Sequence, residues 1–284
     1  MSSPATSHRV KLLRLLVWGV GAAWIVSALH LDSTLFEYYK SSLFNGVILT
    51  IYKLDDNESI EANFYKMAFD YQLKYWNSLG LTKTFSHPVN FEGLKQLVNQ
   101  DARILDYGCG YGRITNTLVE HGYQYVEGVD FSERMIEKGR CLYPHLNLKV
   151  VLSPRLPYVD GEFDAVLLFT VLTCIPHNQA QIALIQELNR ILKSGGLLYI
   201  SDLCLQTDER NLKRYDKFKD KYGIYGIFEL PENVVLRHHD LTWIKFLTSG
   251  FEQIKFEEFN VVTMNNNRAK AFQLFARKPK RQDS

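Results

Sequence analysis

The sequence carries almost no net charge. Its 33 Lys and Arg oppose 31 Asp and Glu, a formal balance of +2. That balance leaves out the strongly basic surface with which a nucleic-acid binder grips phosphate, so no nucleic-acid partner is expected. Cysteine is scarce: Cys109, Cys141, Cys174 and Cys204. None belongs to a CxxC pair, which speaks against a zinc ribbon or a thioredoxin-like redox site. Their wide spacing is not that of a disulfide scaffold, and four reduced thiols in a cytosolic compartment are expected. No internal repeat and no low-complexity segment is found. An unbroken apolar run of about 20 residues, the length of a membrane span, is also missing.

The composition is otherwise globular, 46% hydrophobic and 23% charged, which excludes a disordered or fibrous chain. A length of 284 residues suggests one large domain or two small ones at about 150 residues each. The unusual quantity is the aromatic fraction, 13%, from 16 Tyr, 17 Phe and 4 Trp. It predicts either a thick core or an aromatic-walled pocket.

The N-terminus is open to several readings. Arg9, Lys11 and Arg14 precede an uncharged stretch over 15–31 that holds Trp18, Gly19, Gly21, Trp24 and His30. It is shorter than an ordinary span and longer than the 10–14 residues typical of a buried helix. A basic start, an apolar middle and the small residues Ser27 and Ala28 also have the form of a secretory signal. A second apolar patch covers 43–52. The positive-inside rule keeps the basic residues in the cytoplasm. Membrane contact through residues 9–52, as a hairpin or an interfacial helix, stands beside an apolar helix packed on the protein or on a second copy in a homodimer. The expected location is the cytoplasm or the cytoplasmic face of a membrane.

From 63 to 79 the pattern reads as an aromatic helix with Phe64, Tyr65, Phe69, Tyr71, Tyr75 and Trp76, closed by Gly80. The domain expectation is therefore an apolar segment and aromatic helix over 1–87, then a second domain over 88–284. A short helix is expected near 91–98. Short apolar runs at 102–107, 125–130, 148–152, 163–169 and 197–203 read as strands. They alternate with helical patterns at 112–121, 132–142 and 178–192. Such alternation means βαβ units and a parallel sheet covered on both faces. After a polar and aromatic stretch at 206–237 come a helix near 241–247 and two strands, 251–259 and 268–277, expected to pair antiparallel.

The first of these strands runs into Asp106-Tyr107-Gly108-Cys109-Gly110-Tyr111-Gly112-Arg113. Glycines at 108, 110 and 112 let the backbone approach a ligand and turn into a helix whose N-terminus favours an anionic group. The spacing is GxGxG, with Arg113 where a dinucleotide fold places its third glycine. Asp106 at the mouth would repel a pyrophosphate but pair with an ammonium. Asp130 ends the next strand, where a carboxylate can accept ribose hydroxyls. An ammonium near one acid and a ribose near the other is the charge distribution of S-adenosylmethionine. Read singly, Gly112 serves helix packing, Asp106 caps a helix, Asp130 is a turn residue and Cys109 is a small filler; jointly they point to a nucleoside.

At these residues the sequence resembles the class I S-adenosylmethionine-dependent methyltransferases, particularly the small-molecule group that includes quinone-biosynthesis enzymes. The resemblance rests on ILDYGCGYGR (104–113), VEGVDFSERMIEKGR (126–140), LPYVDGEFDAVLLFTVLTCIP (156–176) and ELNRILKSGGLLYISDL (187–203), and extends over roughly 88–278. It implies an α/β fold with a Rossmann-like, doubly wound, mostly parallel seven-stranded sheet whose last strand is antiparallel, here with an N-terminal helical extension. It also implies S-adenosylmethionine as cofactor. The methionyl end would meet Asp106, Gly108 and Gly110, with Cys109, Gly112 and Arg113 also in the cofactor loop; Asp130 would hold the ribose and Phe131 the adenine. Phe169 and Thr170 would flank the methionine chain, and Leu156 would floor the adenine pocket. The family often has an acid or amide after its third strand, but here the chain reads Leu152-Ser153-Pro154, which leaves Ser153 or backbone to meet the adenine.

Methyl transfer from a sulfonium needs alignment and desolvation first, and a base only for a poor nucleophile. The candidate bases are His177, His238 and His239. His238-His239-Asp240 is also a formal metal set, but consecutive residues point apart and no metal is assigned. The expected acceptor is a small molecule, apolar or aromatic or lipid-like, against Tyr65, Tyr75, Trp76, Thr173, Tyr215, Tyr222 and Tyr225, where π faces also suit a cationic sulfonium. The basic run Arg210, Lys213, Arg214, Lys217, Lys219 and Lys221 reads as a solvated face or as a contact for an anionic group. Three alternatives stand beside this reading: a non-catalytic cofactor-binding subunit, an NAD-dependent oxidoreductase and a protein methyltransferase.

Overall fold

A computed structural model describes residues 13–19, 22–28, 42–44, 47–51, 72–153 and 155–280. The chain forms two compact units, Met1–Asn63 and Phe64–Ser284. The first holds four antiparallel strands, β1 (Leu13–Gly19), β2 (Ala22–Ala28), β3 (Ser42–Phe44) and β4 (Val47–Ile51), in the order β2-β1-β4-β3. The helical extension expected here is therefore corrected to sheet over the described residues. The physical reason lies in the residue types: Val17, Trp18, Trp24, Ile25 and Val26 are branched or aromatic and fit a pleated surface. Val17 sits opposite Trp24 in the β1–β2 register. Among the described residues no helix is long and apolar enough to cross a membrane.

The second unit opens with a correction to the aromatic helix. Residues 63–71, including Tyr65, lie outside the described residues. Only one helical turn is formed after them, α1 (Leu73–Trp76), and a 3₁₀ turn at Leu79–Thr82 succeeds it. Gly80 falls inside that turn. A Cβ there would stand 2.6 Å from Cε3 of Trp76, so this glycine permits close approach of the Trp76 ring rather than capping a long helix. The residues from 72 to 87, expected with the N-terminal segment, thus belong to the second compact unit.

Next come α2 (Phe91–Leu97), β5 (Arg103–Tyr107), α3 (Arg113–Glu120), β6 (Tyr125–Asp130), α4 (Glu133–Leu142), β7 (Asn147–Val150) and β8 (Phe163–Phe169). They continue with α5 (Asn178–Ile191), β9 (Leu192–Leu203), α6 (Glu209–Tyr222), the ribbon β10 (Ile227–Glu229) and β11 (Val235–Arg237), α7 (Leu241–Leu247), β12 (Glu252–Val262) and β13 (Arg268–Arg277). Seven strands form one sheet in the order β12-β13-β9-β8-β5-β6-β7. The pairs among β9, β8, β5, β6 and β7 are parallel. β13 runs antiparallel to both its neighbours, as expected of the last strand.

The sheet buries both faces. Leu105, Val166, Leu168 and Ile200 pack on one side with Leu184, Leu188 and Ile244. Ile104, Ala165, Leu167 and Tyr199 pack on the other with Leu94, Ile114 and Leu118. That two-sided burial explains why β8 reads as a continuous apolar run. Helix starts are set by side chains written into the sequence: Asn90, Ser132, Asp208 and Asp240 accept backbone N–H bonds at the first turns of α2, α4, α6 and α7. The parallel strands all end at the same edge, and the crevice beyond that edge is where such sheets bind ligands.

Candidate active site

At the carboxyl end of β5 the chain turns through Gly108, Gly110 and Gly112 with φ of 72°, 56° and 83°, a region that L side chains avoid. The glycines do different work. A Cβ on Gly108 would meet Val171 Cγ2 at 2.5 Å, whereas one on Gly110 would meet nothing within 4 Å. Gly110 therefore faces open space kept for something other than protein. Gly112 is the N-cap of α3, and a Cβ there would crowd Leu148 and Leu146 at 3.0 and 3.2 Å. Packing, not ligand contact, requires it.

Two buried carboxylates frame this loop. Oδ2 of Asp106 accepts the Thr115 N–H at 3.0 Å and the Thr115 hydroxyl at 2.7 Å. Burial pushes its pKa up to about 6 against the pull of Thr115 and Arg113. Oδ2 of Asp130 accepts the Gly110 N–H and Oδ1 the Ser132 N–H, both at 2.8 Å. Burial raises it also to about 6. With the Phe131 N–H also bonded to it, the carboxylate keeps acceptor capacity for a further donor. Arg113 begins α3; its Nη2 donates to the His87 carbonyl at 2.9 Å while Nε is buried with no partner among the described residues.

Three connected clefts open around these groups. One, about 550 Å³, is walled by Val129, Asp130, Phe131, Val151 and Ile175. A second, about 680 Å³, is lined by Asp106, Gly108, Cys109, Gly110, Arg113 and Phe169, and shares Asp130 and Phe131 with the first. The third, about 730 Å³, lies beyond Thr170 and is bounded by Phe85, His87, Thr173, Phe228, His238 and the β12–β13 connection. Trp76, Phe85, Thr170 and Cys174 belong to both the second and third clefts. Thr170 has φ of 58°, a costly backbone state for a branched residue. It is held there by its N–H bond to Ser201 and its hydroxyl bond to the Phe169 carbonyl, 2.8 and 2.7 Å. Strain thus sits where two clefts meet.

The loop fits S-adenosylmethionine. The open space over Gly110, the Arg113 Nε that has no partner among the described residues, and the remaining acceptor capacity of Asp130 offer room, a donor for a carboxylate and an acceptor for a ribose. Cys109 and Cys174 thiols are pushed well up, chiefly by burial, and stay neutral.

Other expected site residues lie elsewhere. Ser153 is exposed and touches none of the clefts, and Leu156 is buried in the sheet core, where its N–H bonds Glu187; Val151 takes the wall expected of them. Tyr75 packs edge-on against Trp76, outside the clefts. Tyr215 is fully buried behind His238, Tyr222 bonds Glu229, and Tyr225 is largely exposed. His239 is fully buried beside Gln181, with the Leu203 carbonyl 3.3 Å from Nδ1, and burial and Arg237 drive its pKa down to about 3. His177 precedes α5 away from the clefts. Of the three histidines singled out, only His238 lines one. Among the described residues no group of three or more His, Cys, Asp or Glu is gathered as metal ligands would be.

His87 was missed by sequence reasoning. It is 4% exposed, bonds Ser201 through Nδ1 at 3.0 Å and lines the third cleft. Burial, with Arg113, lowers its pKa to about 4. Its only sequence signal is the adjoining Pro88, which marks a loop. The wall from Val262 to Asn267 was missed as well; its Asn-rich run reads simply as a turn.

Comparison with known proteins agrees with this architecture. Residues 104–196 match the family described as methyltransferase domain. The demethylmenaquinone methyltransferase of Staphylococcus saprophyticus is 30% identical over 187 residues, 62% of this chain and 75% of that enzyme. Its Staphylococcus aureus counterpart is 30% identical over 180 residues, covering 59% and 70%. A crystal structure of a Methanosarcina mazei methyltransferase that depends on S-adenosylmethionine (SAM) superposes with a TM-score of 0.62 at 25% identity, over 69% of this chain and all of that one. A Burkholderia thailandensis 1,6-didemethyltoxoflavin-N1-methyltransferase shares the fold, with a TM-score of 0.54 at 14% identity over 80% of this chain and 94% of that one. The chain belongs to the class I S-adenosylmethionine-dependent methyltransferases, in the small-molecule group that is like the quinone-biosynthesis enzymes, and S-adenosylmethionine is its cofactor.

Proposed function

We propose that the chain methylates a small acceptor with an apolar or aromatic body, held in the cleft beyond Thr170. The observation that carries this reading is the wall of Trp76, Phe85, Thr170 and Cys174 common to that cleft and the one over the glycine loop. An acceptor on one side of this wall lies next to a group seated on the other. The cofactor, when bound, supplies an electrophilic sulfonium methyl.

The residues then divide the work. Asp130 orients the ribose, with Phe131 and Val151 along the adenine. Asp106 and Arg113 meet the ammonium and carboxylate of the methionyl end. Trp76 and Phe85 exclude water and offer π faces to positive charge. His238 positions the acceptor. His177, His239, Tyr215, Tyr222 and Tyr225 make no direct contact with it. Positioning and desolvation supply the rate. The demethylmenaquinone methyltransferase relatives favour a hydroxylated bicyclic aromatic as the acceptor class, and the lipid-like end of that class suits work in the cytoplasm or at its membrane face.

The test is release of S-adenosylhomocysteine from the full chain with S-adenosylmethionine and a panel of reduced naphthoquinones, phenols and peptides. A methylated small aromatic is the expected product. Methylation of peptides alone would replace this reading with a protein methyltransferase.

A further inference from the structure

The cleft beyond Thr170 has a one-sided charge. Among its described lining residues there are two guanidinium groups, Arg210 and Arg214, and no carboxylate. The two stand one turn apart on α6, so both reach the same face. Arg214 lies over the Phe228 ring, its Cζ 3.5 Å from the centroid, and its Nε is buried with no hydrogen-bond partner among the described residues. Among those residues it forms no ion pair, though its guanidinium is hydrogen-bonded to the Tyr215 hydroxyl and feels Asp208 at longer range. The nearest acid to Arg210 is Asp208, with Nε to Oδ1 at 3.8 Å, and Asp208 is already engaged by Asn211 at the start of α6.

His238 adds a third donor. It is 3% exposed and lines the same cleft. The Tyr215 hydroxyl oxygen receives the Gln206 N–H at 3.2 Å and lies beside Arg214. Neither of these can accept a proton, so the Tyr215 O–H donates to Nδ1 of His238, 2.5 Å away. Burial, reinforced by Arg214, His239 and Arg210, holds the imidazole neutral. A neutral ring with Nδ1 accepting carries its hydrogen on Nε2. That N–H has no protein acceptor among the described residues. The cleft thus offers three donors, the Nε2–H of His238 and the guanidiniums of Arg214 and the half-exposed Arg210, beside neutral polar groups that include Asn211, Asn265 and Asn267. The partly buried Arg214 is where an unpaired charge is unfavourable. The opposite side is apolar, with Trp76, Phe85 and Leu236.

We propose that the acceptor is an acid: an apolar or aromatic body against Trp76 and Phe85, with a carboxylate or phosphate ester seated between Arg210, Arg214 and the Nε2–H of His238. This rests on the reading that the cleft holds the acceptor, and it adds the charge that the acceptor carries. An anion there pairs both guanidiniums and accepts the imidazole N–H, which a neutral phenol cannot do. It also makes His238 a donor that orients the acid rather than a base.

The test uses the full chain saturated with S-adenosylhomocysteine and three probes of one shape: 1-naphthol, 1-naphthoate and 1-naphthyl phosphate, titrated by calorimetry. Charge-assisted hydrogen bonds predict that at least one anion binds roughly tenfold or more tightly than the naphthol. Which anion leads tells carboxylate from phosphate. R210Q and R214Q each remove most of that preference, R214K retains part of it, and affinity for S-adenosylhomocysteine, measured in the same variants, stays unchanged and reports that they are folded. The inference is overturned if the naphthol binds as tightly as both anions, if neither anion binds, or if the preference survives both glutamine variants. Failure of the protein to bind S-adenosylhomocysteine at all would instead overturn the cofactor site on which the proposed function rests.

Discussion

The backbone N–H of Gly110 donates to Oδ2 of Asp130 at 2.8 Å, so the carboxylate placed to hold a ribose also fixes the loop beneath the methionyl end. The end of β6 and the turn after β5 are one unit. Damage at either is expected to reach both halves of the cofactor.

The glycines of this loop separate folding from binding. Gly108→Ala forces a Cβ into Val171 at 2.5 Å at a positive φ, and should cost about 2–3 kcal/mol of stability. Gly110→Ala meets open space and should cost about 1 kcal/mol from its φ alone. Its methyl group enters the cleft, so S-adenosylhomocysteine affinity should fall at least tenfold, by roughly 1.4 kcal/mol or more. Thermal melting with calorimetric titration on both variants checks the contrast. Equal melting temperatures would refute the assignment of space at these two positions.

Asp130 should impose a pH limit on cofactor binding. Burial raises its pKa to about 6 in the free protein, and ribose hydroxyls need the charged form as acceptor. As pH falls through about 6 protonation competes with binding, and affinity for S-adenosylhomocysteine should drop by up to about tenfold per pH unit below that point. Asp130→Asn should bind weakly throughout and lose this slope. Titrations over roughly pH 5–8, which bracket a carboxyl raised this far, decide it; parallel slopes in the two proteins would assign the effect elsewhere, with Asp106 the next group to test.

Much of this arrangement was legible in the sequence, for reasons that can be located. The strands at 103–107, 125–130 and 163–169 are apolar on both faces and end at turn residues, and each parallel strand delivers its last residue to one edge. Asp106, Gly110, Asp130 and Thr170 could therefore be placed before any contact was known. The acceptor cleft could not. Its walls come from 85–87, from β11 and from the β12–β13 connection, which meet only because β13 inserts antiparallel between β9 and β12. Aromatic spacing was a poor guide there: Tyr215 is on the buried face of α6 and Tyr225 packs edge-on against it, partly exposed, while the neighbouring Arg210 and Arg214 line the cleft. The stretch 15–31 shows the other failure. An apolar run without a clear period reads equally as helix or strand, and its branched and aromatic residues form β1 and β2.

The Tyr215–His238 contact predicts a tautomer. With the Tyr215 hydroxyl donating to Nδ1, ¹⁵N chemical shifts of His238 should show a protonated Nε2 and an unprotonated Nδ1, with no titration near neutral pH because burial and the neighbouring arginines depress its pKa. Tyr215→Phe removes the only donor to Nδ1 among the described residues. It should cost about 1–2 kcal/mol in stability and leave a mixture of both tautomers, while affinity for S-adenosylhomocysteine stays as it was. A protonated Nδ1 in the unaltered protein would show that the hydrogen bond runs the other way and that Nε2 is free to act as a base.

Asp202 sets the pH dependence of stability. It is fully buried at the end of β9, accepting the Leu203 N–H at 2.7 Å and the Thr173 N–H at 3.1 Å. Burial raises its pKa to about 7 against those bonds, while an unfolded aspartate titrates near 3.8. The folded state therefore holds this proton more tightly than the unfolded chain. Its contribution is fully present below about pH 4 and is lost as pH rises through about 7. Asp106 and Asp130, both raised to about 6, act in the same direction over a lower window. Asp202→Asn never ionises, but its one oxygen accepts only one of these N–H groups, which meet Oδ1 and Oδ2 separately, and its amide N–H₂ faces the other. That loss is the same at every pH, so the melting temperature of the variant relative to the unaltered protein should rise between roughly pH 5 and pH 8, by about 2–4 °C for each kcal/mol relieved. Calorimetric melting across that range tests the sign: a relative melting temperature that falls towards high pH would mean that the charge at Asp202 is stabilised by His239, whose Nδ1 lies 3.8 Å from Oδ1, rather than opposed by burial.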